Sequence, residues 1–398
     1  MRRLFQRATP ISGRILKSLA EKLALTFNGK KGLKMMSSFW NHNITVSIFG
    51  ESHGPAIGVV IDNLPPGEHI DLEELRNFMA RRAPKKDATS TQRSEKDLPN
   101  IMSGVHNGYT TGTPLAAFIN NTDQHSQDYG NISKLARPGH ADYTGALRYK
   151  GFNDVRGGGH FSGRLTAPLC FAGAVCGQIL ERRGIYTGTH IAQIHNIKDT
   201  KFNPLEISRE QIIALRHKKF PTISDKKGQA MYDDIDLARR SLDSLGGIVE
   251  CAVTNVPAGV GSPIFEGLEN SIAQIVFGIP AVKGIEFGAG FQVATMLGSQ
   301  NNDEFYVNEV GHVLTKTNNH GGILGGISSG MPIIFRVAFK PTPSIAQPQQ
   351  TIDYGNLTNG VIEIKGRHDP CVVPRAVPCV EAAANIAILS HMLDYPNF

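Results

Sequence analysis

The sequence predicts a mixed fold, α/β or α+β in class, and three observations predict it. Short β-branched segments recur from residue 43 onward, helical periodicity appears between them, and no tandem repeat is present. No composition shift marks a linker after residue 43, so residues 35–398 are expected to form a single domain.

The elements follow in order. "NITVSIF" and "AIGVVIDNL" read as strands joined by the glycine-rich hexapeptide "FGESHG" at 49–54. "DLEELRNFMARR" (71–82) reads as a helix with Leu72, Leu75, Phe78 and Met79 on one face. "TPLAAFINN" suggests a further strand. Residues 163–183 predict a long apolar helix that Gly184 caps. The strand "IYTGTHIAQIHNI", polar helices over 206–219 and 233–245, and the strand "GIVECAVTNVP" come next. Helices over 268–278 and 378–394 complete the pattern.

Composition narrows the function classes. Among 398 residues, 40% are hydrophobic and 19% charged, as in ordinary globular proteins. No uninterrupted apolar run has the ~18–20 residues of a membrane span, so no membrane partner is expected. The net charge is +6, but residues 1–34 hold nine Lys or Arg against Glu21 alone. Removing that segment's +8 leaves about −2, so net charge gives no support for nucleic-acid binding. This basic stretch lacks the apolar core and cleavage site of a secretory signal. It is set apart as an N-terminal extension outside the fold. Five cysteines without C-x-x-C spacing fit neither a zinc site nor a disulfide framework, and suit a reducing, cytoplasmic setting.

Three glycine clusters stand out: "RGGGHFSGR", "KGIEFGAGF" and "NNHGGILGGISSG". None is a Walker loop or a Rossmann fingerprint. "GESHG" satisfies G-x-S-x-G, the serine elbow of α/β-hydrolases. That elbow needs a helix directly after the serine, whereas Pro55 and a β-branched run follow Ser52. Strand–turn–strand is therefore expected, and the histidine next to Ser52 gains interest. "LARPGHADY" places His140 near Arg137, and "KGRHDPCVVPR" gathers Arg367, His368 and Asp369. "ARRAPKKDATSTQRSEKD" supplies Arg81, Arg82, Lys85, Lys86 and Arg93. Guanidinium forks, imidazoles and a carboxylate together suit an anionic substrate and proton transfer.

These segments resemble the chorismate synthase family. "FGESHGPAIGVVIDNLPPG", "QDYGNISKLARPGHADYTGALRYKGFNDVRGGGHFSGR", "AVKGIEFGAGF", "GSQNNDE", "NNHGGILGGISSG", "KPTPSI" and "KGRHDPCVVPRAVPCVEA" stand in the family's order across residues 43–394. The resemblance implies an α+β fold of β-α-β sandwich form, a helical core enclosed by antiparallel sheets, assembled as a homotetramer. It implies anti-1,4-elimination of phosphate from 5-enolpyruvylshikimate 3-phosphate, giving chorismate, a step toward the aromatic amino acids. Reduced FMN is implied as an obligatory cofactor that is not consumed, with NADPH needed only if the protein reduces its own flavin.

By matching position, His53 resembles the general acid near the leaving phosphate, and His140 the histidine that protonates or balances the reduced flavin. Asp369 resembles the carboxylate assisting deprotonation at the flavin N5 edge. Arg82, Arg137 and Arg367 match substrate-facing or FMN-facing arginines. FMN contacts are implied for His160, Phe161, Ser162, Pro280, Ala281, Gly330, Lys340, Pro341, Thr342, Pro343, Ser344 and Arg367, and no metal is implied. The sequence departs from the family pattern where Lys85 follows Pro84 and Ala88 fills an arginine position; Lys85 or Lys86 would replace a fork by a point charge. His160-Phe161 and Pro280 also depart, at positions where backbone contacts can survive. Two other readings remain: a flavin-binding paralogue without turnover, and a serine hydrolase using Ser52.

Overall fold

The computed structural model describes residues 38–84, 87, 89, 97–122, 135–364 and 368–395. The basic extension 1–34, together with Lys85, Lys86, Ala88, Arg93 and Arg367, lies outside the described residues.

Two five-stranded antiparallel sheets enclose a helical layer. The first holds β1 (Phe39–Asn41), β2 (Thr45–Gly50), β3 (Ala56–Asp62), β4 (Asn100–Ser103) and β5 (Leu115–Asn120), in the order β1-β2-β3-β5-β4. The second holds β6 (Tyr186–Ile194), β7 (Ile197–Lys198), β8 (Gly247–Thr254), β9 (Val282–Phe287) and β10 (Ile333–Phe339), in the order β9-β10-β8-β6-β7. The alternation in β3 fits its place: Ile57, Val59 and Ile61 are buried against the helices, each fully or nearly so.

Seven helices of seven or more residues are described: α1 (Leu72–Arg82), α2 (Asp142–Arg148), α3 (Thr166–Glu181), α4 (Arg209–His217), α5 (Asp225–Arg240), α6 (Leu268–Phe277) and α7 (Val373–Met392). The first sheet packs on α3, the second on α7, and α3 and α7 pack on each other. This is the expected β-α-β sandwich. Every residue of α3 from Thr166 to Leu180 is buried, and so is nearly all of α7. A helix apolar all round needs such an enclosed place. The stretch Gly163–Glu181 is long and apolar enough to cross a membrane, yet 94% of its apolar window is buried inside this fold.

Glycines let the two central helices touch. A Cβ on Gly173 would stand 2.2 Å from Ala382 Cα, and one on Gly177 2.5 Å from Asn385 Nδ2. The Asn385 amide also donates to the Gly173 carbonyl at 3.1 Å, across this seam.

The first polar helix is shorter than expected, Arg209–His217 rather than 206–219, and other details differ as well. The second polar helix spans Asp225–Arg240 rather than 233–245, because the Ser224 hydroxyl caps it by accepting from Lys227 N. The last helix begins at Val373 rather than 378, since Pro374 falls in its first turn, where a missing N–H costs nothing. Leu72, expected on the buried face of α1, is 45% exposed; Leu75 and Met79 carry that face. Gly184 closes α3 as expected, with φ +78° and Ile185 N bonded to Leu180 O.

Candidate active site

The turn 51–55 joins β2 to β3, which pair antiparallel from Thr45–Asp62 to Gly50–Ile57. The context of Ser52 is strand–turn–strand, as expected. Ser52 is 3% exposed, and its hydroxyl has no hydrogen-bond partner among the described residues. With no base hydrogen-bonded to it among the described residues, it lacks the arrangement of an activated nucleophile.

The same turn is fixed by its neighbours. The Asn121 amide donates to the carbonyls of Glu51 (3.0 Å) and Gly54 (2.8 Å), and Ser52 N donates to Gly159 O at 3.1 Å. His53, only 4% exposed, is thereby set against Gly157. Gly157 has φ +60°, and a Cβ there would lie 2.1 Å from His53 Nδ1. Only glycine permits both the backbone angle and that approach.

On the other side of this glycine turn opens a cavity of about 530 Å³. Among the described residues its wall carries the cations Arg82, Arg137, Arg164, Arg375, Lys283 and Lys340, against the single carboxylate Asp369. Such an excess of positive charge in a concave site attracts polyanions.

The cations are held by carboxylates set behind them. Asp97, fully buried, pairs with Arg82 Nη1 at 3.2 Å and, more closely, with Arg164 Nη1. Burial raises the Asp97 pKa, but the Arg82 and Arg164 charges outweigh it and hold the carboxyl below its ordinary range. Arg164 Nε in turn donates to Asn121 Oδ1 at 3.0 Å, which ties the anion wall to the His53 turn. Next to Arg82 on α1, Arg81 turns the other way and pairs with the buried Glu381 of α7 at 2.6 Å.

Asp142, at the start of α2, organises the second corner. Its Oδ2 accepts from Arg137 Nε (2.7 Å) and Arg137 N (3.0 Å). Its Oδ1 accepts from Arg137 Nη2 (2.7 Å) and lies 2.7 Å from His140 Nδ1. Burial opposes ionisation of Asp142, yet the bonds from Arg137 and His140 prevail and hold it well below the usual carboxylate range. Arg137 Nη2 also lies 3.0 Å from His140 Nδ1 and 3.3 Å from Nε2, and Nε2 stands toward Gly158, where an added Cβ would be 3.2 Å away.

The third corner is the N-terminal approach to α7. Arg375 Nη1 donates to Asp369 Oδ2 at 2.6 Å, and Arg375 Nε to Arg82 O at 3.0 Å. Opposite it, Ala281 sits at φ +75°, a left-handed backbone unusual for a residue with a Cβ, and its carbonyl accepts from Lys340 N at 2.9 Å. Burial lowers the Lys340 pKa, and the nearby Lys283 charge adds to the effect.

Of the residues singled out in the sequence, Arg82, Arg137, His140, Phe161, Ser162, Pro280, Ala281, Lys340, Thr342, Pro343, Ser344, His368 and Asp369 line this one cavity. His160 lines it too, but its ring is occupied: Nδ1 is 2.8 Å from Gly50 O and Nε2 2.7 Å from Ser38 Oγ. His53 stands one layer back, behind Gly157. Pro341 packs against Gly246 instead, and Gly330 lies before β10, at the opposite end of that strand from Lys340. Asp97, Asp142, Arg164, Arg375 and Lys283 were not singled out. Arg164 and Arg375 sit inside the motifs "HFSGR" and "CVVPR", so their charge was the available signal.

A cationic, histidine-bearing cavity between the helical layer and two antiparallel sheets defines an enzyme of the β-α-β sandwich class acting on a polyanionic small molecule. Comparison with known proteins narrows this. The family model described as chorismate synthase matches residues 44–393. A chorismate synthase from Pyrococcus abyssi is 46% identical over 350 residues, 88% of this chain and 96% of its own length. Another from Korarchaeum cryptofilum is 45% identical over 359 residues, covering 90% and 98%. A solved structure, "Crystal Structure of Chorismate Synthase", superposes with a TM-score of 0.69 at 29% identity, covering 88% of this chain and 92% of that one. The chain belongs to the chorismate synthase family.

Proposed function

We propose that this chain eliminates phosphate from 5-enolpyruvylshikimate 3-phosphate to form chorismate, with reduced FMN bound in the same cavity. The observation that carries the reading is the cavity itself: six cations facing one carboxylate, in a member of this family. The substrate's two carboxylates and phosphate match that excess.

Three features support a flavin here. Thr342 Oγ1 is buried on the cavity wall without a hydrogen-bond partner among the described residues, as a ligand-facing group would be. Gly157, at positive φ, brings backbone without a side chain to the cavity wall, where a flat ring can approach it. The strained Ala281 turn and the 340–344 segment face it from the second sheet. Reduced FMN, when bound, supplies electron density to the allylic system as the phosphate departs and takes it back as hydrogen is lost.

The protein's own groups do the rest. Arg82, Arg164 and Arg375 bind and orient the anionic groups. His53, reached across Gly157, donates a proton toward the leaving phosphate oxygen. His140, positioned by Asp142, would protonate or balance the reduced flavin from the cavity wall. Asp369, steadied by Arg375, would assist deprotonation at the flavin N5 edge.

The test is anaerobic incubation of the protein with the substrate and photoreduced FMN. Equal amounts of inorganic phosphate and chorismate are expected, with no net flavin oxidation. Flavin binding without product would overturn the reading and leave the paralogue without turnover. Covalent labelling of Ser52 by a fluorophosphonate would instead favour the hydrolase.

The homotetramer is part of this proposal. Exposed apolar side chains concentrate between 291 and 313, where Phe291, Leu297, Phe305, Val307, Val310 and Val313 are each more than half exposed. A surface of that kind supports burial against further copies. Native mass spectrometry giving a monomer at micromolar protein would remove the tetramer.

A further inference from the structure

The mechanism above leaves two sulfur atoms unused, and they sit together at the cavity floor. Cys379, on α7, lines the cavity; Cys170, on α3, lies directly behind it. Their Sγ atoms are 3.7 Å apart, with the Cys170 thiol donating to the Cys379 sulfur. Cys170 is fully buried and Cys379 is 2% exposed, so the cavity is the approach to this pair.

The pairing follows from the helix seam. Cys170, Gly173 and Gly177 face Cys379, Ala382 and Asn385 in the same order, so α3 and α7 run parallel here. The two glycines remove the side chains that would hold the backbones apart. Cysteine at the next position up the seam therefore meets cysteine, across a gap only about 1.7 Å longer than a disulfide bond.

We propose that Cys379 and Cys170 are a peroxide-reactive thiol pair, Cys379 the attacking sulfur and Cys170 the resolving one, which closes a reversible disulfide across the core helices. The Cys379 thiolate attacks the O–O bond of a hydroperoxide: an S–O bond forms, the O–O bond breaks, and the distal oxygen leaves as hydroxide or alkoxide. The Cys170 sulfur then displaces hydroxide from the sulfenate as its own proton passes to that hydroxide. With hydrogen peroxide, two thiols and one peroxide yield one disulfide and two waters. The thiols are oxidised by two electrons and the peroxide is reduced by two.

The assignment of roles has a physical basis. The hydrogen bond received from Cys170 lowers the Cys379 pKa, and the Arg82 and Arg375 charges lower it further against the opposing effect of burial. Cys170 is pushed up by burial and by its neighbour. Cys176, Cys251 and Cys371 are buried without a sulfur partner among the described residues, and burial raises each of them.

Closure bears on the active site. Val372, just before α7, and the α7 residues Arg375, Ala376 and Cys379 form one wall of the cavity, and Arg375 carries Asp369. Drawing that wall about 1.7 Å toward α3 is enough to lower turnover by about tenfold or more.

The test treats the folded, full-length protein with hydrogen peroxide, blocks remaining thiols, and digests it without reductant using trypsin and chymotrypsin. Cleavage after Phe171 separates Cys170 from Cys176, so mass spectrometry identifies the partner directly. The expected result is a Cys170–Cys379 linked peptide that dithiothreitol removes, with activity falling and returning in step. In Cys170→Ser, kept if its melting curve is cooperative, the loss persists after dithiothreitol, because the Cys379 sulfenate oxidises onward. Recovery of both cysteines as separate species from oxidised, folded protein overturns the proposal. So does a dithiothreitol-reversible loss of equal size in Cys170→Ser.

Discussion

Replacing Asp142 by asparagine tests the corner on which both Arg137 and His140 depend. The carboxylate takes part in four close contacts, two at each oxygen, all between 2.7 and 3.0 Å. An asparagine keeps one oxygen and turns an NH2 toward the other two donors, so two charge-assisted hydrogen bonds become donor–donor contacts. Each such bond contributes about 1.5–3 kcal/mol, a gross loss of about 3–6 kcal/mol. Arg137 retains its contact from Nη1 to Ser344 Oγ at 3.3 Å, and water from the cavity reaches the His140 ring, 15% exposed. A net loss of about 2–4 kcal/mol remains, equivalent to a fall in turnover of roughly 30- to 1,000-fold. Anaerobic phosphate release under saturating substrate and reduced FMN measures it, with urea unfolding in parallel. Turnover within about threefold of the unchanged protein would refute the role given to this carboxylate. The same residue sets a pH dependence. Its folded-state pKa is depressed, so its stabilisation is complete above the unfolded value near 3.9 and is lost as pH falls through the folded value. The difference in urea stability between Asp142→Asn and the unchanged protein should therefore shrink as pH falls below about 4.

Other outcomes follow from the same geometry. His53→Ala and His140→Ala should each lower turnover by more than about tenfold in the anaerobic assay, and unchanged turnover would remove that residue's role. Asp97→Asn leaves two buried guanidiniums facing a neutral amide, and should cost about 3–5 kcal/mol by urea denaturation. Gly157→Ala places a methyl on the His53 ring and forces a left-handed alanine; turnover should fall even where circular dichroism shows a folded protein. Ala281→Gly relieves the positive φ, and should leave stability unchanged or raise it by up to about 1 kcal/mol, read as a higher urea midpoint.

Much of this molecule was legible in its residues. The β-branched run in "AIGVVIDNL" marked a strand, and the run after Gly163 marked a long apolar helix. The turn reading of "GESHG" survived because Pro55 and the β-branched run leave no room for the helix an elbow requires. What stayed hidden depends on distance in space. Asp97 and Arg164 are separated by 67 residues, and nothing local to "SEKDLPN" says that its aspartate joins two guanidiniums. Asp142 was visible in the quoted "RPGHADY", but an acid two residues from a histidine is ordinary; only the fold turns it back onto Arg137. His160 shows the reverse case, since its place in a glycine loop suggested a ligand while its ring proves to pin that loop to Gly50 and Ser38.

The two central helices carry a consequence for how the chain is made. Helix α3 has the composition of a membrane span, and its chief partner α7 begins about 190 residues later, at Val373. At a synthesis rate of about 5–20 residues per second, the ribosome leaves α3 uncovered by α7 for roughly 10–40 seconds. Throughout that interval a largely apolar rod is offered to whatever is nearby, whether chaperone, insertion machinery or another nascent chain. Slowing translation after residue 181 should therefore lower soluble yield while the finished fold's stability is unchanged.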